Sequence, residues 1–225
     1  PKQSAEQNIQ RLCFRKGGLL FREFDQMFHD LFQRRSEHCK KVVRELVAGR
    51  KTNAQMSKAL GVGRGGTITN ILTELELSGF IRKDCAFDPN SGNSRERNHR
   101  FRLRDNYLRF YLKYVEPERE AIQKGLYESV PMDALAAWET TSGLQFENLV
   151  HDNLLQLLKF GGLENIPIEN LGPYFQNTTQ RQKSCQIDVL AKSKRSLYAF
   201  EIKFRKQVSG SVMDEMDEKI SRLKL

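Results

Sequence analysis

The run QIDVLAKSKRSLYAFEIKF, Gln186 to Phe204, decides how the C-terminal half of this chain folds. Its two ends, Gln186–Leu190 and Phe200–Phe204, alternate apolar and polar side chains, the pattern of half-buried strands. Between them, Lys192-Ser193-Lys194-Arg195-Ser196 is a polar turn. A hairpin bent about Lys194 and Arg195 sets Asp188 opposite Glu201, with Cβ atoms roughly 5 Å apart. Lys203 lies two residues on and shares the Glu201 face, while Phe200, Ile202 and Phe204 are expected to point into a core. Two carboxylates so placed suit one Mg²⁺, with Mn²⁺ as a substitute, because Mg²⁺ takes oxygen ligands. A neighbouring ammonium can polarise a water or steady a phosphate. An acid-x-lysine in a strand is also a common pattern for a solvated face, so the spatial register carries the reading.

The arrangement resembles the PD-(D/E)xK nuclease superfamily, in which an acid on one strand precedes Glu-x-Lys on the next and a further Glu comes from an earlier helix. The resemblance implies catalytic roles for Glu147, Asp188, Glu201 and Lys203, with Asp188 and Glu201 as metal ligands. Glu147 stands in Gly143–Val150, where Leu144, Phe146, Leu149 and Val150 recur at roughly helical spacing. The Pro that usually precedes the strand acid is replaced by Ile187.

Charge is divided unevenly. Residues 1–125 hold 25 Lys and Arg against 15 Asp and Glu, whereas residues 126–225 hold 12 against 13. A basic module joined to a near-neutral one favours a polyanionic partner for the first. The 225 residues suffice for one large or two ordinary domains. No apolar run nears the roughly 20 residues of a membrane span, so no membrane partner is expected. Cysteines 13, 39, 85 and 185 are scattered, without the pairs of a zinc cluster, which fits free thiols in a cytoplasmic setting. On that reading the Asn177-Thr178-Thr179 sequon is idle. The start, Pro1-Lys2-Gln3-Ser4, lacks Met and an apolar leader and reads as that of a fragment.

Residues 1–35 carry an apolar helical stripe split at Gly17-Gly18 and are expected to pack on a neighbour. Residues 36–126 read as a winged helix-turn-helix. Its helices fall at about Ser36–Ala48, Ala54–Leu60 after a Thr52 cap, and from Thr67 to Leu77. Strands Phe80–Lys83 and His99–Leu103 flank a tip at Pro89–Asn93, and an aromatic helix follows over 105–126. The third helix would offer Thr67 and Asn70 to DNA, and the wing Arg95, Arg97, Arg100, Arg102 and Arg104. Glu74 and Glu76 on that helix argue against base-specific contact, and a protein-docking winged helix stays an open alternative. Gly61-x-Gly63-x-x-Gly66 matches a dinucleotide fingerprint in letters only, since it follows a helix rather than a strand. The tail from Met213 to Leu225 reads as an amphipathic helix with Ile220 and Leu223 inward.

The whole chain resembles the C-terminal region of a prokaryotic AAA-type ATPase family. Four stretches carry the likeness: Asn8–Leu20, Phe101–Leu112 with its Arg-Asp-Asn-Tyr-Leu-Arg-Phe segment, Phe146–Val150, and Gln186–Val189 with Phe200–Lys203. The resemblance implies a mixed α+β and α/β architecture. A helical lid remnant (1–35) would precede the winged-helix domain (36–126) and a restriction-endonuclease-like domain (127–225). It also implies an ATP-binding N-terminal domain outside this sequence, against which residues 1–35 would pack, DNA as partner, and homo-oligomers as a further expectation. Two functions stay open: Mg²⁺-dependent cleavage of DNA, or an inactive module that docks DNA or protein for the ATPase.

Overall fold

The computed structural model describes residues 3–63, 66–180, 182–205, 207 and 209–223. Arg64 and Gly65 of the glycine-rich turn, Arg181, and the last two residues of the expected tail helix lie outside that set. The protein is α+β, with two small antiparallel sheets. No described helix is long and apolar enough to cross a membrane. Two compact units divide the chain: 1–82 with 101–144, and 83–100 with 145–225.

The first unit is helical. Helices α1 (Ala5–Cys13) and α2 (Leu19–Phe32) flank the Gly17-Gly18 break. A Cβ at Gly18 would lie 2.3 Å from the Leu12 carbonyl oxygen, so this corner requires glycine. The α2 stripe is buried within the unit: Phe24 stacks on Tyr111 at 4.7 Å and Phe28 on Phe80 at 5.2 Å. The phenylalanines of the stripe, expected to pack on an absent domain, are covered by this unit's own core, while Leu19 and Leu31 stay exposed.

Helices α3 (Ser36–Glu45), α4 (Asn53–Ala59) and α5 (Gly66–Leu77) follow in helix-turn-helix order. Thr52 caps α4 as its sequence predicts: its hydroxyl accepts from Gln55 N, and Gln55 Oε1 accepts from Thr52 N. Ile68, Ile71, Leu72 and Leu75 bury the inner face of α5. The aromatic segment after residue 105 is core, but it is not one helix. Helix α6 (Asn106–Phe110) runs into a π-helical turn, Tyr111–Val115, closed by Glu116 N donating to Tyr111 O at 2.9 Å, and α7 (Arg119–Gln123) follows Pro117. Arg109 is buried here and donates to Val47 O at 2.7 Å and Leu103 O at 2.8 Å. One guanidinium thus ties the carbonyl of Val47, just past α3, to that of Leu103, shortly before α6.

Strands β1 (Ile81–Phe87) and β2 (Ser94–Leu103) are longer than their sequence signal, and they form the expected hairpin. Residues 83–100 of that hairpin belong to the second unit. Phe87 shares a cluster with Tyr174, Ile187 and Leu190. Asn98 donates to Phe175 O at 2.9 Å, and Lys192 to Asn90 O at 2.8 Å. Gly92, at φ +74°, makes the tip turn that offers its carbonyl to Asn170 Nδ2.

Helix α8 (Trp138–Asp152) passes from one unit into the other and is followed by α9 (Leu154–Phe160). Strands β3 (Ile168–Gln176), β4 (Cys185–Ser193) and β5 (Leu197–Phe200) make an antiparallel sheet in the order β3-β4-β5, and α10 (Ser211–Ser221) follows. One sheet face, with Ala191, Tyr198 and Phe200, meets Leu158 of α9 and Leu163. The other, with Leu190, Leu197 and Ala199, meets Phe87 and Leu223. With both faces covered, every residue of β4 from Ile187 to Ala191 is buried, Asp188 included.

Candidate active site

The β4–β5 hairpin turns at Lys194-Arg195, where Ser193 N donates to Ser196 O at 2.9 Å. Its register pairs Val189 with Phe200 and Lys192 with Leu197, so one step further Asp188 lies across from Glu201. Regular pairing ends at Phe200 because the Asp188 carboxylate takes the next backbone donor: Oδ2 accepts Ile202 N at 2.8 Å. Asp188 is buried, and only 8% of the Glu201 side chain is exposed.

Glu201 Oε1 accepts from two ammonium groups, Lys203 Nζ at 2.9 Å and Lys219 Nζ at 2.6 Å. Lys203 also lies 3.4 Å from Glu215 of α10. Burial alone would raise the Glu201 carboxyl, but the hydrogen bonds and charges of the two lysines outweigh it and hold it below the usual glutamate range. Lys203 moves upward, chiefly through its hydrogen bond to Glu201, so it stays an ammonium at neutral pH. Glu201 Oε2 is buried and has no hydrogen-bond partner among the described residues.

Glu201 and Lys203 thus pair directly just after β5, and Asp188, within β4, meets the same segment through the Ile202 N–H. Glu147 does not join them at metal-binding range: it is half-buried on α8, and no three described His, Cys, Asp or Glu side chains gather closely enough to hold a metal. The donor set nonetheless fits Mg²⁺ through two carboxylates, because this cation keeps several waters and is commonly held by one or two carboxylates. The unpartnered Oε2 is the oxygen such a cation would use.

The apolar residues around Glu201 divide. Ile202 is buried and Phe200 half-buried, but Phe204, expected in the core, is 53% exposed and touches Phe146 with ring centroids 5.6 Å apart. Pairing stops before Phe204, so no sheet neighbour covers it. Ile220, expected inward on α10, is 46% exposed; Val212 is the buried apolar residue of that helix.

Of the residues expected at DNA, Thr67 and Asn70 are exposed on α5, and Arg95 and Arg97 of β2 and Arg104 just after it are exposed too. Arg95 pairs with Asp88 at 2.9 Å. Arg102, 3% exposed, is a correction: it is a core residue with no guanidinium surface to offer a polyanion. Arg100 is half-buried, lies over the Phe175 ring at 4.4 Å and donates to Gln186 Oε1 at 2.9 Å, which ties β2 to β4. Strand period hid both roles, since every second arginine of a wing faces whatever packs beneath it.

Lys219 was missed. Its spacing of four from Glu215 was the available signal, because it puts both on one helix face. Nothing local says which strand that face meets.

Residues 111–218 are similar to DUF234. That family is described as archaea bacterial proteins of unknown function, and its match spans the π-helical turn through most of α10. The DUF234 match therefore takes in Asp188, Glu201 and Lys203 and leaves out the β1–β2 hairpin. A relative, an uncharacterized protein of Methanocaldococcus jannaschii, is 24% identical over 124 residues, covering 55% of this chain. The chain spans 27% of that relative's length. No solved structure matches.

Proposed function

We propose that the second unit hydrolyses phosphodiester bonds with a divalent cation held by Asp188 and Glu201. The observation that carries this is the buried, unpartnered Glu201 Oε2, in a segment whose next backbone N–H is held by the buried Asp188 carboxylate. An orphaned buried acceptor costs roughly 1–3 kcal/mol, a cost that a cation or an ordered water at that oxygen removes. A bound Mg²⁺ would acidify a water and offset charge on the phosphate. Lys203, kept protonated by Glu201 and Glu215, is suited to donate to a non-bridging phosphate oxygen and unsuited to remove a proton from water. The Ile202 N–H fixes the Asp188 carboxylate, so its orientation does not depend on the cation.

In this reading the first unit supplies DNA contact through the exposed polar face of α5, with Thr67 and Asn70, and the protein serves an ATPase domain elsewhere in a longer prokaryotic chain. The test is nicking of supercoiled plasmid with Mg²⁺ or Mn²⁺. Wild type should nick, and Asp188→Asn and Lys203→Ala should not; equal rates in all three would defeat the proposal.

One observation favours a second reading, a non-catalytic docking module. Lys203 and Lys219 together already neutralise Glu201 through Oε1. Salt-sensitive DNA binding without cleavage in either cation would support it.

A further inference from the structure

A groove of about 490 Å³ runs between α8, α9 and the residues after β5 in the second unit. Its floor is apolar, from Phe146, Leu149, Leu157 and Phe160, and Ile202, Glu201 and Lys203 close one side. Leu149 is 57% exposed and Phe160 89% exposed. Large apolar side chains this open, side by side, mark a surface that binds something. Asn153 and Gln156, both exposed, bring amides to the same groove. Asn153 Nδ2 gives one of its two hydrogens to Leu149 O, which leaves the other hydrogen and the amide oxygen as polar groups of the groove.

We infer that this groove holds a nucleobase of single-stranded or unpaired DNA or RNA, stacked on Phe160 and Phe146, with its sugar-phosphate directed to Lys203. Three features converge on a nucleotide. An aromatic and aliphatic floor suits the face of a base. Carboxamides pair with the donors and acceptors of a base edge. An ammonium at the groove complements a phosphate, whereas a lipid chain or an apolar peptide helix would cover the Gln156 and Asn153 amides and the Lys203 charge without offering them polar partners. The inference deepens the phosphodiester reading by naming an unpaired strand as substrate, and it rests on that reading only at its phosphate end.

The test uses the full chain with Asp188→Asn, in EDTA, so that binding is measured without cleavage. An aminopurine-labelled single strand should show fluorescence quenching on binding. Phe160→Ala, at a site too exposed to disturb the core, should weaken binding roughly tenfold, and Leu149→Ser should weaken it in the same direction. An abasic strand of equal length, with the same phosphates, should bind wild type as weakly as the labelled strand binds Phe160→Ala. Equal affinity for abasic and base-bearing strands, or an unchanged Phe160→Ala, overturns the groove assignment, as does displacement of the strand by an amphipathic peptide that occupies the groove instead. Base-dependent quenching in a protein that never nicks plasmid would keep the groove and remove the hydrolysis reading; nicking with base-independent binding would do the reverse.

Discussion

The carboxylate of Asp188 accepts the backbone N–H of Ile202 at 2.8 Å. A side chain here does the work of a strand partner at the point where β5 stops, and it holds the Glu201-Ile202-Lys203 segment against β4. Charge and shape at this position are therefore separable by mutation.

Asp188→Asn keeps an acceptor for Ile202 and should melt within a few degrees of wild type while losing cation-dependent cleavage. Asp188→Ala strands a buried donor and should cost roughly 1–3 kcal/mol. Thermal unfolding followed by circular dichroism, run beside the nicking assay, checks both. An Asn variant as unstable as the Ala variant would show that the charge, not the acceptor, holds the segment.

Glu201 is held below its ordinary range in the folded chain, despite burial, by Lys203 and Lys219. A depressed carboxyl contributes stability that is present above the unfolded value, about 4.3, and lost as pH falls through the folded value. Wild type should therefore lose stability as pH drops below roughly 4.3, and Glu201→Gln should have a shallower acid limb. Denaturant midpoints measured from neutral pH to pH 3 decide it; parallel limbs would remove Glu201 from the acid response.

Lys219 places a positive charge 2.6 Å from the oxygen next to the unpartnered one. Lys219→Met should raise Mn²⁺ affinity several-fold by removing that repulsion, with Lys203 still present to orient Glu201. Calorimetric titration of Mn²⁺ reads this directly. Weaker binding in the variant would mean that Lys219 positions Glu201 rather than competing for it.

Arg109 donates to carbonyls at Val47 and Leu103 from inside the core. Arg109→Met removes both donations and should destabilise the protein by about 3 kcal/mol or more. Arg109→Lys should recover only part of that, because a single ammonium cannot span both sites as the guanidinium fork does. Denaturant midpoints of the two variants test the ranking.

Burial pushes the Cys13 and Cys39 thiols up to about 11. Neither should react with iodoacetamide at pH 8 in the native state. Cys85 is the one cysteine of the four outside the buried class and should label first. Mass spectrometry of partially alkylated protein gives the order.

Much of this was legible before any coordinates. The polar turn at Lys194-Arg195 and period-two alternation set the Asp188–Glu201 register, because a one-residue slip would invert every side chain. Thr52 announced a helix N-cap, and Gly17-Gly18 a break. What stayed hidden depended on contacts far apart in sequence. The alternation at Phe204 continues past the point where the sheet ends, so pattern alone put an exposed ring in the core. The run of wing arginines looked uniform, yet Arg100 and Arg102 face inward while Arg95, Arg97 and Arg104 do not. Lys219 reaches Glu201 only because α10 returns to the sheet.

The β1–β2 hairpin starts and finishes in one unit while its middle is built into the other, so the polypeptide changes allegiance three times, near residues 82, 100 and 144. No single cut can then release either half intact. A truncation at residue 126 leaves Phe87 without Tyr174, Ile187 and Leu190, and a start at residue 111, where the DUF234 match begins, leaves those three without Phe87. Each half-gene should aggregate when expressed alone and regain solubility only when co-expressed with its complement.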